Sequence, residues 1–356
     1  MGQDWTILNV DLREQDLDAG GKHLEFFLDG MRSLDQSLRI PCLPKAVDKW
    51  LSHGPFVVQP GPVGKLSTEV LDMIFEAILG NSTQGLADNF LNCVFLAVCC
   101  KRLLAVSKRH ILRALMSIHA RAVDCRLVCI GTATDVAEQA PPGMLTDAEL
   151  QEIATTPIPD ECLYHNSAEE AVAKRHLLPF AREVYKSYRK VQTPLFDPLK
   201  ELGRCLYDIG MDVRTGYRLA PLRALELDMI SALSTAAPFY PRPEYPEGPA
   251  VLCNMSKGEY VCEETLLAYD TLNSWWEGVT LMNALLLRIC YSPSGGTTVW
   301  CDDEDERQGL INGAWAGDRF RVTSMAEMPL LEGGRQWKDV TEEVAELLWN
   351  IWDCLY

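Results

Sequence analysis

Helix-forming residues are densest between positions 64 and 111, which read GKLSTEVLDMIFEAILGNSTQGLADNFLNCVFLAVCCKRLLAVSKRHI. Apolar residues recur there at helical spacing behind Ser67, a candidate N-cap; a polar loop follows, then a second helix and a third, basic one. The segment Phe90–Leu104 is apolar on nearly every side, so it must be covered on every side. We therefore predict a helical bundle over residues 64–120, whose outer face is covered by the rest of the chain or by a partner protein.

Composition is that of an ordinary globular protein. The chain has 356 residues, of which 47% are hydrophobic and 23% charged, and its 50 acidic and 33 basic side chains give a net charge of −17. This charge argues against general binding of nucleic acids or anionic membranes, because phosphate contacts need positively charged surfaces. The length corresponds to about two domains, with enough chain to bury a core without disulfides or metals.

Cysteine usage and hydropathy predict an intracellular protein. The chain has 13 cysteines, an odd number, and no apolar segment behind a basic N-terminus that would indicate a secretory signal. We expect free thiols in a reducing compartment, hence a cytoplasmic location with the nucleus as the alternative. The longest apolar run, Phe90–Cys100, is about half as long as a bilayer-spanning helix, so we expect no transmembrane segment.

The rest of the chain mixes helices with short strands, which predicts an α+β fold. Residues 1–63 comprise an N-terminal strand and an irregular segment, which we expect to pack on the C-terminal domain. Residues 64–120 form the helical bundle, and residues 121–356 form a mixed domain of helices and a small antiparallel sheet. The bundle is then inserted in, or joined to, a domain built from both ends of the chain.

An internal similarity indicates a duplication in the mixed domain. The residues ILNVDLRE at Ile7–Glu14 parallel LCNMSKGE at Leu252–Glu259, and AVDCRL at Ala122–Leu127 resembles AGDRF at Ala316–Phe320. The second match needs one extra residue in the first copy. We interpret each copy as a hairpin-like start followed later by an Asp–Arg strand, with the bundle inserted into the first copy. Chance similarity is the alternative.

Residues 64–111 resemble an F-box. The family pattern is Leu-Pro-x-Glu, an apolar residue, Leu-x-x-Ile-Phe, and then an apolar helix that ends near Val-Cys-Lys/Arg. The chain has, at the matching positions, Leu66, Glu69, Val70, Leu71, Ile74, Phe75, Leu96, Val98, Cys99 or Cys100, Lys101 and Leu103. It departs from the pattern at Ser67, which replaces the usual Pro, and in a longer connector before Phe90. Serine is an equally good residue at the start of a helix.

F-box proteins bind the Skp adaptor of cullin–RING ubiquitin ligases and present substrates for ubiquitylation. The resemblance therefore implies that a Skp-type adaptor covers the outer apolar face of the bundle and that a protein substrate binds the C-terminal domain. Transferred position by position, the adaptor interface comprises Leu66, Leu71, Ile74, Phe75, Leu96, Cys99 and Leu103. A few such apolar residues dominate the affinity of an interface.

The two ends of the chain resemble a group of uncharacterised proteins. MGQDWTILNVDLRE at the N-terminus and GAWAGDRF at residues 313–320 resemble one unit, which small bacterial members carry alone and larger fungal members carry around an F-box. The chain resembles the fungal type over nearly its full length. As a recognition surface in the C-terminal domain we predict Trp275, Trp276, Trp300, Trp315 and Arg319. The alternative is a tight turn in which Trp315 packs and Asp318 pairs with Arg319 or a backbone amide.

The remaining motifs indicate no enzyme class. Met1–Thr6 fits the N-myristoylation pattern, which makes Gly2 a candidate lipidation site. Asp302–Glu306 is typical of a solvated acidic loop, and the cysteine and histidine spacings fit no zinc site. Because no catalytic or nucleotide-binding motif occurs, we expect a non-enzymatic adaptor without cofactor or metal. The alternatives are an enzyme or small-molecule-binding domain that carries an F-box, and a scaffold whose helical hairpin is internal core.

Overall fold

The computed structural model describes residues 4–15, 21–22, 31–52, 61–131, 140–157, 176–214, 221–239, 241–269, 279–292 and 312–355. The fold is α+β, as the sequence predicts. In chain order, the described helices are α1 (Arg32–Leu38), α2 (Lys45–Ser52), α3 (Pro62–Lys65), α4 (Thr68–Leu79), α5 (Leu86–Val98), α6 (Lys101–His119), α7 (Asp147–Thr155), α8 (Leu177–Val184), α9 (Tyr188–Arg214), α10 (Pro221–Ser234), α11 (Glu263–Tyr269), α12 (Leu281–Ile289) and α13 (Thr341–Leu355). The described strands are β1 (Asp4–Asn9), β2 (Glu14–Gln15), β3 (Gly21–Lys22), β4 (Leu127–Gly131), β5 (Lys186–Ser187), β6 (Ala250–Asn254), β7 (Glu259–Cys262), β8 (Cys290–Tyr291), β9 (Phe320–Ser324) and β10 (Lys338–Asp339).

The chain divides into two compact units. The sheet unit comprises residues 1–39, 122–189 and 247–356, and the helical unit comprises residues 40–121 and 190–246. These boundaries differ from the three predicted segments. The helical unit begins at residue 40, before the predicted bundle of residues 64–120, and also includes residues 190–246 from further along the chain. Apolar side chains of α9 and α10 complete the buried core around α4, α5 and α6: Leu195, Phe196, Leu199, Met229 and Leu233.

Three helices, α4, α5 and α6, form the centre of the helical unit. Helix α4 begins after Ser67, whose side chain accepts a hydrogen bond from the backbone N–H of Val70 at 3.5 Å. The three helices pack against one another in pairs. Their shared core includes Leu71, Phe75, Phe90, Val94, Leu104 and Ile111. Helical spacing predicts these three helices, and the structure confirms them.

The sheet unit contains two small sheets. One has the strand order β5-β2-β1-β4-β8, with β3 paired to β1, and the other has the order β10-β7-β6-β9. The pairs β1–β4 and β6–β9 are antiparallel, whereas β2–β5 and β7–β10 are parallel. Two mixed sheets therefore stand where the sequence predicts one small antiparallel sheet. Side chains of both sheets and of the helices α1 and α12 form one buried core.

Strand order shows that the sheet unit contains two copies of one motif. The order β5-β2-β1-β4 in the first copy repeats as β10-β7-β6-β9 in the second. The antiparallel register repeats too: Asn9 pairs with Leu127, and Asn254 pairs with Phe320. In the parallel pairs, each copy joins a glutamate to a lysine, Glu14 to Lys186 and Glu259 to Lys338. The duplication predicted from the short sequence similarity is present in the backbone.

The two copies meet at equivalent arginines. Arg126 and Arg319 form an antiparallel bridge, and each stands immediately before the antiparallel strand of its copy. Counting from these arginines, Cys125 corresponds to Asp318 without a gap. The extra residue in the predicted alignment is therefore wrong. The gap arose because the alignment matched Asp318 with Asp124, which lies one position before Cys125, the equivalent residue.

Each copy also contributes chain to the sheet of the other. After α12, Cys290 of the second copy pairs in parallel with Cys129 on β4 of the first. After α1, Arg39 of the first copy forms a parallel bridge with Val322 on β9 of the second. Cys129 and Val322 occupy equivalent positions, two residues into β4 and β9. Through this reciprocal pairing, one face of each sheet contributes to a shared core, whereas the opposite faces have separate apolar clusters.

Two turns in each copy use a left-handed backbone. The first turn has φ +53° at Arg13 and +73° at Gly258, and the second has φ +60° at Asp124 and +84° at Gly317. Side chains other than glycine adopt this region with some strain. In the second copy, a Cβ on Gly258 would also lie 2.7 Å from a methyl carbon of Leu331. A side chain at position 258 would therefore combine backbone strain with a shift of Leu331, which favours glycine there, whereas the first copy has arginine.

Candidate functional site

The candidate site is a group of exposed apolar side chains on α4 and α5 and just before them. Val70 and Met73 lie three residues apart on α4, Phe95 lies on α5, and their exposed fractions are 40%, 66% and 41%. Val63, on α3, is 47% exposed. Helices α4 and α5 pack against each other. We call these four residues the exposed apolar set; a protein that covers them would remove apolar surface from water.

The structure places the seven predicted adaptor residues at three depths. Three of them are buried: Leu71, Phe75 and Leu103. Leu71 and Phe75 lie on the side of α4 that faces α6, and Leu103 lies on α6 in the same core. These three side chains cannot contact an adaptor in this structure, which corrects the interface transferred from the F-box pattern. The others are accessible: Leu66, Ile74 and Leu96 are half-buried, and Cys99 is exposed.

Val70, Met73 and Phe95 lie on the same helices, yet the transferred pattern does not assign them to the interface. Residue spacing could have shown that α4 has two apolar sides. A helix with 3.6 residues per turn places Val70 and Met73 on one side. It places Leu71 and Phe75 on another. Both sides are apolar, so periodicity alone leaves open which side the chain itself covers. Packing of α4 on α6 decides it.

A charged contact holds α4 against α6. Asp72 on α4 lies 2.9 Å from His110 Nε2 and accepts from Arg109 Nη2 at 2.8 Å. The hydrogen bond with His110 and the positive charge of Arg109 lower the pKa of Asp72. His110 is fully buried and stacks on Phe75, with ring centroids 5.7 Å apart. Together these contacts orient α4, so that Val70 and Met73 remain on its outer side.

Trp315, from the second predicted site, is fully buried. Its indole Nε1 donates to Glu259 Oε2 at 2.6 Å, and the Arg288 guanidinium lies 5.1 Å from the ring centroid. Asp318, three residues later, accepts from Asn254 Nδ2 at 2.8 Å. Trp315 is therefore a core residue in a tight turn, as the alternative predicts, and not part of a recognition surface. The predicted partner of Asp318 is wrong, because Asp318 binds the side chain of Asn254 instead of Arg319 or a backbone amide.

Arg319 is exposed and lies where the two copies meet. Its Nη1 donates to Asp11 Oδ2 at 2.8 Å and to the backbone oxygen of Asp124. Burial raises the pKa of Asp11, but hydrogen bonds from Arg126 and the charge of Arg319 outweigh it, so the pKa is lower than usual. The candidate lipidation site Gly2, the other tryptophans of the predicted recognition surface and the acidic run 302–306 lie outside the described residues. These tryptophans are Trp275, Trp276 and Trp300.

Several buried titratable groups are neutral at pH 7. Burial raises the pKa of Cys93 and of Cys253 to about 12 and lowers the pKa of His119 to about 3. These thiols are therefore poor nucleophiles, and they act as core side chains. Within the described ranges, no three His, Cys, Asp or Glu side chains come together as metal ligands. Among the helices described, none is both long and apolar enough to cross a bilayer.

The comparisons with known proteins supply no function for this chain. No family model matches it, and neither the curated proteins nor the solved structures gave a match.

Proposed function

We propose that the chain is an F-box adaptor: α4, α5 and α6 bind a Skp-type subunit of a cullin–RING ubiquitin ligase, and the sheet unit binds a protein substrate. The observation that carries the proposal is the exposed apolar set, most of which lies on α4 and α5, helices that carry the F-box resemblance. A partner that buries such a side chain removes its remaining exposed apolar surface from water, which stabilises a complex by roughly 25 cal/mol per Å².

The proposed interface combines exposed and half-buried side chains of these helices. Met73 is its most exposed apolar side chain and Phe95 its largest, and Leu66, Ile74 and Leu96 contribute half-buried side chains. Leu71, Phe75 and Leu103 support it from inside the bundle. Substitution of such core residues would unfold the helical unit, so it would not test the interface.

The test is calorimetric titration of the full chain with a purified Skp-type adaptor. The double variant Met73→Asp, Phe95→Ala removes the two most prominent apolar contacts and places a charge in the interface. We expect at least a 100-fold weaker dissociation constant, about 2.7 kcal/mol. The matched control is Leu150→Asp, which changes an exposed leucine of the sheet unit and should bind like the wild type.

Either of two results would refute the proposed adaptor function. One is a wild-type chain that binds no Skp-type adaptor, and the other is a folded double variant that binds as tightly as the wild type. Circular dichroism of each variant establishes that it is folded.

For the substrate we propose a protein and not a nucleic acid, since the chain carries a net charge of −17. From the cysteine content we infer a cytoplasmic location, with the nucleus as the alternative. Affinity purification of the tagged chain followed by mass spectrometry tests the first inference, because adaptor and substrate should appear together. Fluorescence microscopy of the tagged chain tests the second. Recovery of the substrate should require the sheet unit and persist in the Met73→Asp, Phe95→Ala variant.

A further inference from the structure

Arg102 makes a bidentate contact that the F-box resemblance does not explain. It lies in the first turn of α6, is half-buried, and donates through Nη1 to the backbone oxygen of Gly64 at 2.6 Å and through Nη2 to that of Leu66. Gly64 lies in α3, and Leu66 lies in the short segment that joins α3 to α4. A guanidinium suits this task, because its N–H groups form a rigid fork and stay charged at every physiological pH.

The segment that Arg102 holds has little structure of its own. Helix α3 is a single turn, Gly61 before it has φ +126°, and the hydrogen bond from Leu66 N–H to the Val63 oxygen is long, at 3.3 Å. A single helical turn is unstable in isolation, because nucleation fixes several dihedral angles for one hydrogen bond. The Arg102 contacts therefore tie residues 61–66 to the bundle, with the Leu66 side chain against the edge of its core.

We propose that Arg102 is a positioning residue for adaptor binding: it orders residues 61–66 before the adaptor arrives, so that Val63 and Leu66 are presented in their bound arrangement. This inference rests on the proposed function. Ordering the backbone of even one residue during binding weakens a complex by about tenfold. A chain without the guanidinium must order this segment when it binds.

The test compares three variants of the full chain. Arg102→Met removes both hydrogen bonds and keeps much of the apolar stem, whereas Arg102→Lys keeps the charge but lacks the fork. Arg113→Met is the matched control, because Arg113 is an exposed arginine on the same helix, about three turns further along. The measurements are the dissociation constant for a Skp-type adaptor, hydrogen exchange of the amides of residues 63–67, and the thermal midpoint.

We expect Arg102→Met to bind about tenfold more weakly, with faster amide exchange confined to residues 63–67 and an unchanged thermal midpoint. Arg102→Lys should recover part of the affinity, and Arg113→Met should behave like the wild type. Wild-type affinity in Arg102→Met would overturn the proposal. Weaker binding together with a lower thermal midpoint would also overturn it, because Arg102 would then stabilise the whole bundle and not the segment alone.

Failure of the proposed function is distinguishable from failure of this inference. If the wild type binds no adaptor, the F-box function is refuted, and amide exchange still reports whether Arg102 orders the segment. If the wild type binds and Arg102→Met binds equally well, only the positioning role is lost.

Discussion

In the second copy of the sheet unit, the Asn254 side chain accepts from two backbone N–H groups, those of Ser256 and Lys257, and donates to Asp318. In the first copy, the equivalent Asn9 accepts from one backbone N–H group and lies beside the thiol of Cys125. The core filling differs as well. The indole of Trp315 occupies a position that the first copy fills with the methyl group of Ala122.

Despite these differences, the two copies keep the same strand order and the same register. What they share is an asparagine before each first turn, a left-handed residue within it, and a glutamate after it, Glu14 or Glu259. Backbone hydrogen bonds and turn geometry therefore determine the motif, while the surrounding side chains adapt. Substitutions at equivalent positions test how far the copies have diverged.

The largest expected effect is that of Trp315→Ala. The variant removes an indole that packs on Phe320, with ring centroids 5.9 Å apart, and donates to Glu259. We expect the free energy of unfolding of the sheet unit to fall by about 3–5 kcal/mol. Urea denaturation followed by circular dichroism measures it. At the equivalent position of the first copy, Ala122→Gly should cost only about 1 kcal/mol. Equal losses would contradict the view that the second copy depends on a large side chain at this position of the shared core.

A second test compares Asn254→Ala with Asn9→Ala. The first variant breaks three hydrogen bonds and leaves buried groups without partners, so we expect a loss of about 2–4 kcal/mol. The second breaks the bond to the Leu12 N–H group, and we expect about 1 kcal/mol. Urea midpoints of both variants measure the difference. A larger loss in Asn9→Ala would contradict the view that the second copy depends more on its asparagine.

The smallest expected effect is on the pH dependence of stability. The pKa values of two carboxyl groups, those of Asp318 and Glu149, are shifted in opposite directions. Burial raises the pKa of Asp318, so the fold favours its protonated form, and its contribution to stability falls as pH rises above the ordinary value of 3.8. Glu149 is the opposite case. The hydrogen bond from Arg126 lowers its pKa from 4.5 to about 2, so its contribution is present above pH 4.5 and is lost as pH falls toward 2.

The measurement is urea denaturation of Asp318→Asn and Glu149→Gln between pH 2.5 and about 6, a window that spans both ordinary carboxyl pKa values. Relative to the wild type, Asp318→Asn should gain stability as pH rises, and Glu149→Gln should lose it. Asparagine still accepts from Asn254, and glutamine still caps α7 behind Thr146, so each variant removes mainly the charge. Slopes of the same sign would refute the assignment.

Much of this architecture was predictable because it depends on neighbours in sequence. Helical spacing predicts α4, α5 and α6, and Ser67 marks the start of α4. The paired motifs around Asn9 and Asn254 predict the duplication. The alignment gap was wrong because Asp124 matched Asp318 in residue type, whereas only strand register shows that Cys125 is the equivalent.

The candidate site was predictable only in part. The F-box pattern identifies the helices but assigns Leu71, Phe75 and Leu103 to the interface, although their side chains pack inside the bundle. Which side of α4 is covered depends on α6 and on the rest of the core, including residues of α9 and α10 that lie more than 100 positions away. Trp315 is a similar case, because its burial depends on Glu259 and Arg288.

By itself the sequence determined the α+β class, the three central helices and the repeated turn motif, because each follows from propensities and spacings within about ten residues. Only the tertiary structure decided which apolar side chains stay exposed, how the copies exchange strands, and that Arg102 reaches the segment before α4. Those features arise from contacts between distant parts of the chain, and the free energy of burial depends on what lies across the contact.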